Sequence, residues 1–298
     1  MIGIKELPYT LRSYTYKHNK MAPESLFPEL EEKLNTHIPF VAGKIGGFEL
    51  WALRANEFGY KKEYREVYDK LCNNAGFFSD KDDIEANLKA YTDRMKDTLS
   101  EVDYLIRWQY SKDEYFVRKY CKSDIKDIEW LGVIYYETPI GPLLKGRKVL
   151  AITPFAESAK SQYARRELVY PEKYLPEFDL QTYKSVQTIA GNRDPRFNNW
   201  FEALDGMIED VCKMDFDIAL VGCGAYGLPL CSAIKRAGKS AIHMGGDLQL
   251  LFGIMGKGGK TTGFSRTLRT SIGFILISQR FLRIQKQLKM GVIGKNRV

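Results

Sequence analysis

The chain has 298 residues, 44% of them hydrophobic, and a formal net charge of +8. That length suits one large α/β domain or two small ones with a sizeable core. No apolar run is long enough to span a bilayer, and the N-terminus lacks the apolar core of a signal peptide. The basic excess does not define a nucleic-acid surface: ten Lys and Arg lie between Leu248 and Val298, and no Asp or Glu follows Asp247. Taken from the whole-chain +8, that tail leaves residues 1–247 at −2, so no specific nucleic-acid partner is expected.

In chain order, Pro39–Gly46 reads as a strand and Phe48–Phe58 as a helix. Tyr64–Asn73 and Asp83–Val102 follow as helices, and Tyr104–Gln109 as a strand. Thr138–Pro142 breaks the pattern. Lys148–Thr153 reads as a buried strand, Glu157–Leu168 as a helix and Tyr183–Ala190 as a strand. Asn199–Lys213 carries apolar residues at helical spacing. Phe216–Val221, Tyr226–Ala237 and Ser240–Met244 then read as strand, helix and strand, with Gly238 ending the helix. The alternation predicts an α/β fold: a Rossmann-like parallel sheet with helices on both faces and a more helical N-terminal half. The expected division is 1–142, 143–257 and an atypical tail, 258–298. The five cysteines (Cys72, Cys121, Cys212, Cys223, Cys231) match no zinc spacing and are expected as reduced thiols, which points to a cytoplasmic protein.

Gly222, Gly224 and Gly227 form G-x-G-x-x-G between a strand and a helix. Such a turn lets backbone N–H groups approach an anion; it also serves as a bare tight turn. A nicotinamide site further needs an acid at the next strand end. Here that end reads Ile242-His243-Met244, and Asp247 comes only after Gly245-Gly246. Asp247 is expected to meet a ribose or metal, or to cap a helix. His243 faces the cleft or serves as a structural hydrogen-bonder. Tyr226 stacks on a ligand ring or packs in the core. Glu157 sits at a strand end where open sheets gather ligands, or is a first-turn helix acid. Gln187 and Asn192 flank another strand end and could read a base or sugar, with a turn role as the alternative for Asn192.

The stretch FDIALVGCGAYGLPLCSAIKRAGKSAIHMGGDLQLLFGIMGK resembles the nucleotide-binding half of bacterial glycosyltransferase-like proteins of the GT-D fold. GKIGGFEL, from Gly43 to Leu50, resembles that family's R-F-G-D-G-E signature, and VQTIAGN and WFEALDGM are similar to an uncharacterised subgroup. The resemblance spans most of residues 40–257. It implies transfer of a sugar from a nucleotide-sugar donor to a glycan or glycoconjugate acceptor, in polysaccharide assembly. Glu49 would be the general base, with a first-turn acid that favours its helix dipole as the alternative, Lys44 a substrate contact, and Gly222–Gly227 the diphosphate seat. The family's carboxylate pair is incomplete, because Gly47 stands at its Asp position and only Glu49 remains; Lys44 stands at the Arg position. Metal use therefore stays open between none and a Mn or Mg ion. The alternatives are a nicotinamide-dependent oxidoreductase and a non-catalytic nucleotide-binding protein.

From about Gly258 the character changes. Loss of one A from the A-run in GGA AAA AGG TGG, the coding form of the family's G-K-R-W, yields the G-K-G-G at Gly256 to Gly259. An out-of-frame tail is one expectation. The other is an amphipathic segment, Ile272–Met290, lying on an anionic inner-membrane surface.

Overall fold

The computed structural model describes residues 20–79, 82–107, 110–128, 140–169 and 172–254, with positions 4, 5, 7 and 11. The atypical tail lies outside the described residues. The helices are α1 Pro23–Asn35, α2 Gly47–Phe58, α3 Tyr64–Lys70, α4 Ile84–Leu99, α5 Tyr110–Tyr120, α6 Gly141–Leu144, α7 Ala156–Tyr163, α8 Arg166–Val169, α9 Trp200–Cys212, α10 Gly227–Arg236 and α11 Asp247–Leu251. The strands are β1 Val41–Gly43, β2 Tyr104–Ile106, β3 Lys126–Ile128, β4 Lys148–Thr153, β5 Asp179–Lys184, β6 Ile218–Val221 and β7 Ser240–His243.

The seven strands form one sheet in the order β3-β2-β1-β7-β6-β4-β5, with every neighbouring pair parallel. The expected α/β sheet is therefore present, and the N-terminal region supplies three of its strands. The join is β1 on β7, where Val41 faces Ala241 and Ala42 faces Ile242.

Strand side chains alternate between two cores, as the two-residue period of a strand requires. Val41, Leu105, Leu150, Ile152, Ala219, Val221 and Ala241 pack with α2, α4, α9 and α10. Ala42, Tyr104, Val149, Ala151, Ile218, Leu220 and Ile242 pack with α1, α6, α7 and α11. In α1 the contact is made by Leu26, Leu30 and Leu34, one helical turn apart. Burial on both faces explains why the central strands read as continuous apolar runs.

Two expected elements shift, and one strand was not anticipated. The strand expected at Tyr183–Ala190 lies at Asp179–Lys184, because this edge strand is only half-buried and shows no apolar run. Val186 and Thr188 are buried in the connection that follows it. The helix expected at Glu157–Leu168 breaks after Tyr163, whose hydroxyl donates to the Phe178 carbonyl at 2.8 Å. β3 has one fully buried residue, Ile128, and so left no periodic trace.

Buried charge is paired. The Arg107 guanidinium, at the end of β2, donates to Glu114 at 2.6 Å and to Asp127 at 3.1 Å. Glu57 accepts from Tyr115 and Tyr120 at 2.7 and 2.8 Å and also pairs with Lys96 and Lys119. Burial alone would raise that carboxyl; these donors together hold it down at about 2. Removing one partner of a buried pair strands the other charge. Arg107→Met is therefore expected to lower unfolding free energy by about 3 kcal/mol, measured by urea denaturation.

Candidate functional site

The chain leaves β1 into α2 on one face of the sheet and leaves β7 into α11 on the other. Adjacent parallel strands whose outgoing connections diverge are where open α/β sheets bind ligands. Lys44, Glu49, His243 and Asp247 all belong to these two outgoing segments.

Lys44 directly follows β1. Its Nζ lies 4.0 Å from Asp247 Oδ2, and both side chains are mostly buried. Burial lowers the Lys44 amine below the usual lysine range, opposed by the charges of Asp247 and then Glu49. Gly245, at φ +60°, makes room: a Cβ there would come within 3.2 Å of Lys44 Cε. Asp247 occupies the first turn of α11.

Glu49 is in the first turn of α2, with Gly46 as the N-cap. Its carboxylate folds back over Gly46, where a Cβ would meet Oε2 at 2.0 Å. Burial raises its pKa, while its own backbone N–H and the Lys44 charge pull the other way. The carboxylate therefore caps its own helix, as a first-turn acid does, and is also a stronger base than a solvated glutamate. Tyr91 is fully buried on α4, and its phenol is pushed up by burial and then by the Glu49 charge. The Tyr91 hydroxyl has no hydrogen-bond partner among the described residues. Sequence reasoning did not select Tyr91, since at helical spacing it reads as an ordinary core aromatic.

His243 closes the site from β7. Its Nδ1 lies 3.1 Å from the Lys44 carbonyl. A carbonyl only accepts, so the ring proton sits on Nδ1. The other side of the ring lies over Gly227, where a Cβ would meet Nε2 at 2.4 Å. Burial, with the Lys44 charge added, lowers the imidazole to about 4. The ring is neutral at pH 7.

Each glycine of the G-x-G-x-x-G turn meets the protein itself. A Cβ on Gly222 would lie 2.5 Å from the Gly245 carbonyl oxygen, and one on Gly224 2.5 Å from the Ala75 carbonyl oxygen. Gly224 also has φ +62°, a left-handed conformation that suits glycine. Ala75 ends a π-helical turn, Leu71–Ala75, that extends α3. The Thr188 hydroxyl ties this corner together, donating to the Gly76 carbonyl and sharing a 2.9 Å hydrogen bond with the Tyr226 hydroxyl. Tyr226 stacks on Trp200 at 5.3 Å and is core. Packing within the chain thus accounts for all three glycines.

The remaining candidates stay apart from the cluster. Glu157 is an exposed first-turn acid of α7, and Gln187 is exposed. Asn192 is exposed and donates to the Ile189 carbonyl at 2.7 Å, the role of a turn residue.

These features define a Rossmann-like α/β protein with a buried lysine, two carboxylates and a neutral histidine at a divergence of its central strands. A protein-family model, the GT-D fold-like domain, matches residues 118–251. The matched span holds β3 through β7 and α11. A solved structure described as domain of unknown function 1792 (DUF1792), selenomethionine-substituted, aligns with a TM-score of 0.44 at 11% identity, covering 84% of this chain and 86% of that one. No curated protein matches the sequence. No helix among the described residues is long and apolar enough to cross a membrane.

Two measurements check the packing. Gly224→Ala forces a left-handed alanine against the Ala75 carbonyl and is expected to cost about 2–4 kcal/mol in urea unfolding. His243 has a folded-state pKa below its unfolded value, so its contribution is fully present above pH 6.5 and is lost as pH falls toward 4. That amounts to about 3 kcal/mol. His243→Gln should flatten the loss of stability across this window in denaturation followed as a function of pH.

Proposed function

We propose that this protein is a glycosyltransferase that moves a sugar from a nucleotide-sugar donor to a hydroxyl of a glycan or glycoconjugate. The observation that carries the reading is the convergence of Lys44, Glu49, His243 and Asp247 where β1 and β7 diverge. The GT-D-like match over residues 118–251 supports it. The donor lies across the ends of β1 and β7, with its diphosphate toward Lys44 and its ribose toward Asp247. The acceptor oxygen attacks the anomeric carbon. The bond from that carbon to the diphosphate breaks, and the nucleoside diphosphate leaves with the bonding electron pair. Glu49 takes the acceptor proton, a task for which its raised basicity fits it. The Gly222–Gly227 turn forms a wall that fixes His243 and α11.

A nicotinamide oxidoreductase is less well supported. The strand end at His243-Met244 carries no acid for a ribose, and the Ala75 carbonyl faces the middle glycine.

Thermal-shift screening of the full chain against UDP-, GDP- and dTDP-sugars and NADH tests the assignment. Stabilisation by a nucleotide-sugar is expected. Stabilisation by NADH alone would replace the transferase reading with the oxidoreductase. With the responding donor, Glu49→Gln is expected to lower kcat about 100-fold or more while leaving donor binding intact. An unchanged kcat would reduce Glu49 to a helix cap.

A further inference from the structure

We infer that Lys44 is the site's own counter-cation for the donor diphosphate, so that donor binding needs no divalent metal. This deepens the transferase reading and rests on it. The GT-D resemblance implies a metal on a carboxylate pair, and the residues here do not fit one. Gly47 fills one carboxylate position, and among the described residues no three His, Cys, Asp or Glu side chains lie close enough together to hold one metal ion. The cation at this place is instead an ammonium, 4.0 Å from Asp247 and within the field of Glu49. A divalent ion on these acids would have to displace that ammonium or share their charge with it at close range.

The surroundings are built around the lysine. Gly245 gives it space on the β7 side, where any Cβ would crowd its Cε. The His243 ring fixes the Lys44 backbone by donating to its carbonyl. That ring is neutral, so Lys44 is the one positive charge of this four-residue group. The charges of Asp247 and then Glu49 oppose the lowering of the amine by its burial. An ammonium with three donors can hydrogen-bond a diphosphate oxygen while keeping a carboxylate neighbour. A lysine acts here as a point charge and serves where a metal would otherwise offset the leaving group's charge.

The test is calorimetric titration of the full chain with UDP, GDP and dTDP, first in EDTA and then with Mn²⁺ added. The expected result is one nucleotide binding with the same Kd in both conditions. Lys44→Met should weaken that Kd about 10- to 100-fold, and Lys44→Arg should recover part of it, with thermal melts confirming that each variant is folded. If Lys44→Met does not fold, the wild-type EDTA comparison and Lys44→Arg decide. Binding that vanishes in EDTA and returns with Mn²⁺ overturns the inference and leaves the transferase reading standing. Wild-type affinity in Lys44→Met likewise overturns it. No binding of any of the three nucleotides in either condition overturns both.

Discussion

The pairing of β1 with β7 is the constraint on which the rest of the molecule depends. Two residue pairs, Val41 with Ala241 and Ala42 with Ile242, join strands about 200 positions apart. Gly43 permits the close approach beyond them, since a Cβ there would lie 2.8 Å from the His243 Cβ. This contact makes one sheet from chain segments that would otherwise be two three- and four-stranded pieces. It also brings Lys44 and Glu49 to His243 and Asp247. Because α2 and α11 then leave on opposite faces, the four side chains occupy the gap between them. Fold and candidate chemistry therefore share a single cause.

The electrostatics of that gap follow from its burial. Water is largely excluded, so each charge is set by its neighbours. Desolvation lowers the lysine, and the two acids that face it oppose that loss. Glu49 is pushed toward its protonated form by burial and drawn back by its own helix and the lysine. The imidazole gives up its charge altogether, since the adjoining ammonium and its burial both oppose protonation. A small set of groups is thus arranged in unlike protonation tendencies within a few side-chain lengths.

Much of the C-terminal region was legible because its central strands are buried on both faces. Lys148–Thr153, Ile218–Val221 and Ser240–His243 are apolar runs punctuated by glycine, and Asn199 caps α9 by accepting from the Glu202 N–H. Edge elements were harder to read. β3 and β5 bury little, so their residue choice is set by solvent and by single contacts rather than by a pattern. The candidate site was legible only in part. Lys44, Glu49, His243 and Asp247 stand out by residue type, yet nothing in local spacing tells that Glu157, Gln187 and Asn192 lie apart from them. The glycine turn carries contacts that its spacing does not announce. Its spacing is that of an anion cradle, but the space the glycines leave is taken by the Gly245 and Ala75 carbonyls and the His243 ring. These are contacts over long sequence distances that no local motif records.

The β1–β7 join also sets an order of events during synthesis. As the chain emerges from the ribosome, β1, β2 and β3 are complete long before residue 240 appears. Throughout that interval β1 is an open edge with its hydrogen-bonding groups and apolar faces exposed, the kind of edge that pairs with other chains. A join between such distant segments closes slowly, because its loop entropy is lost before any contact is gained. The nascent sheet thus stays incomplete until β7 arrives, with β1 and β6 both waiting for it as their partner.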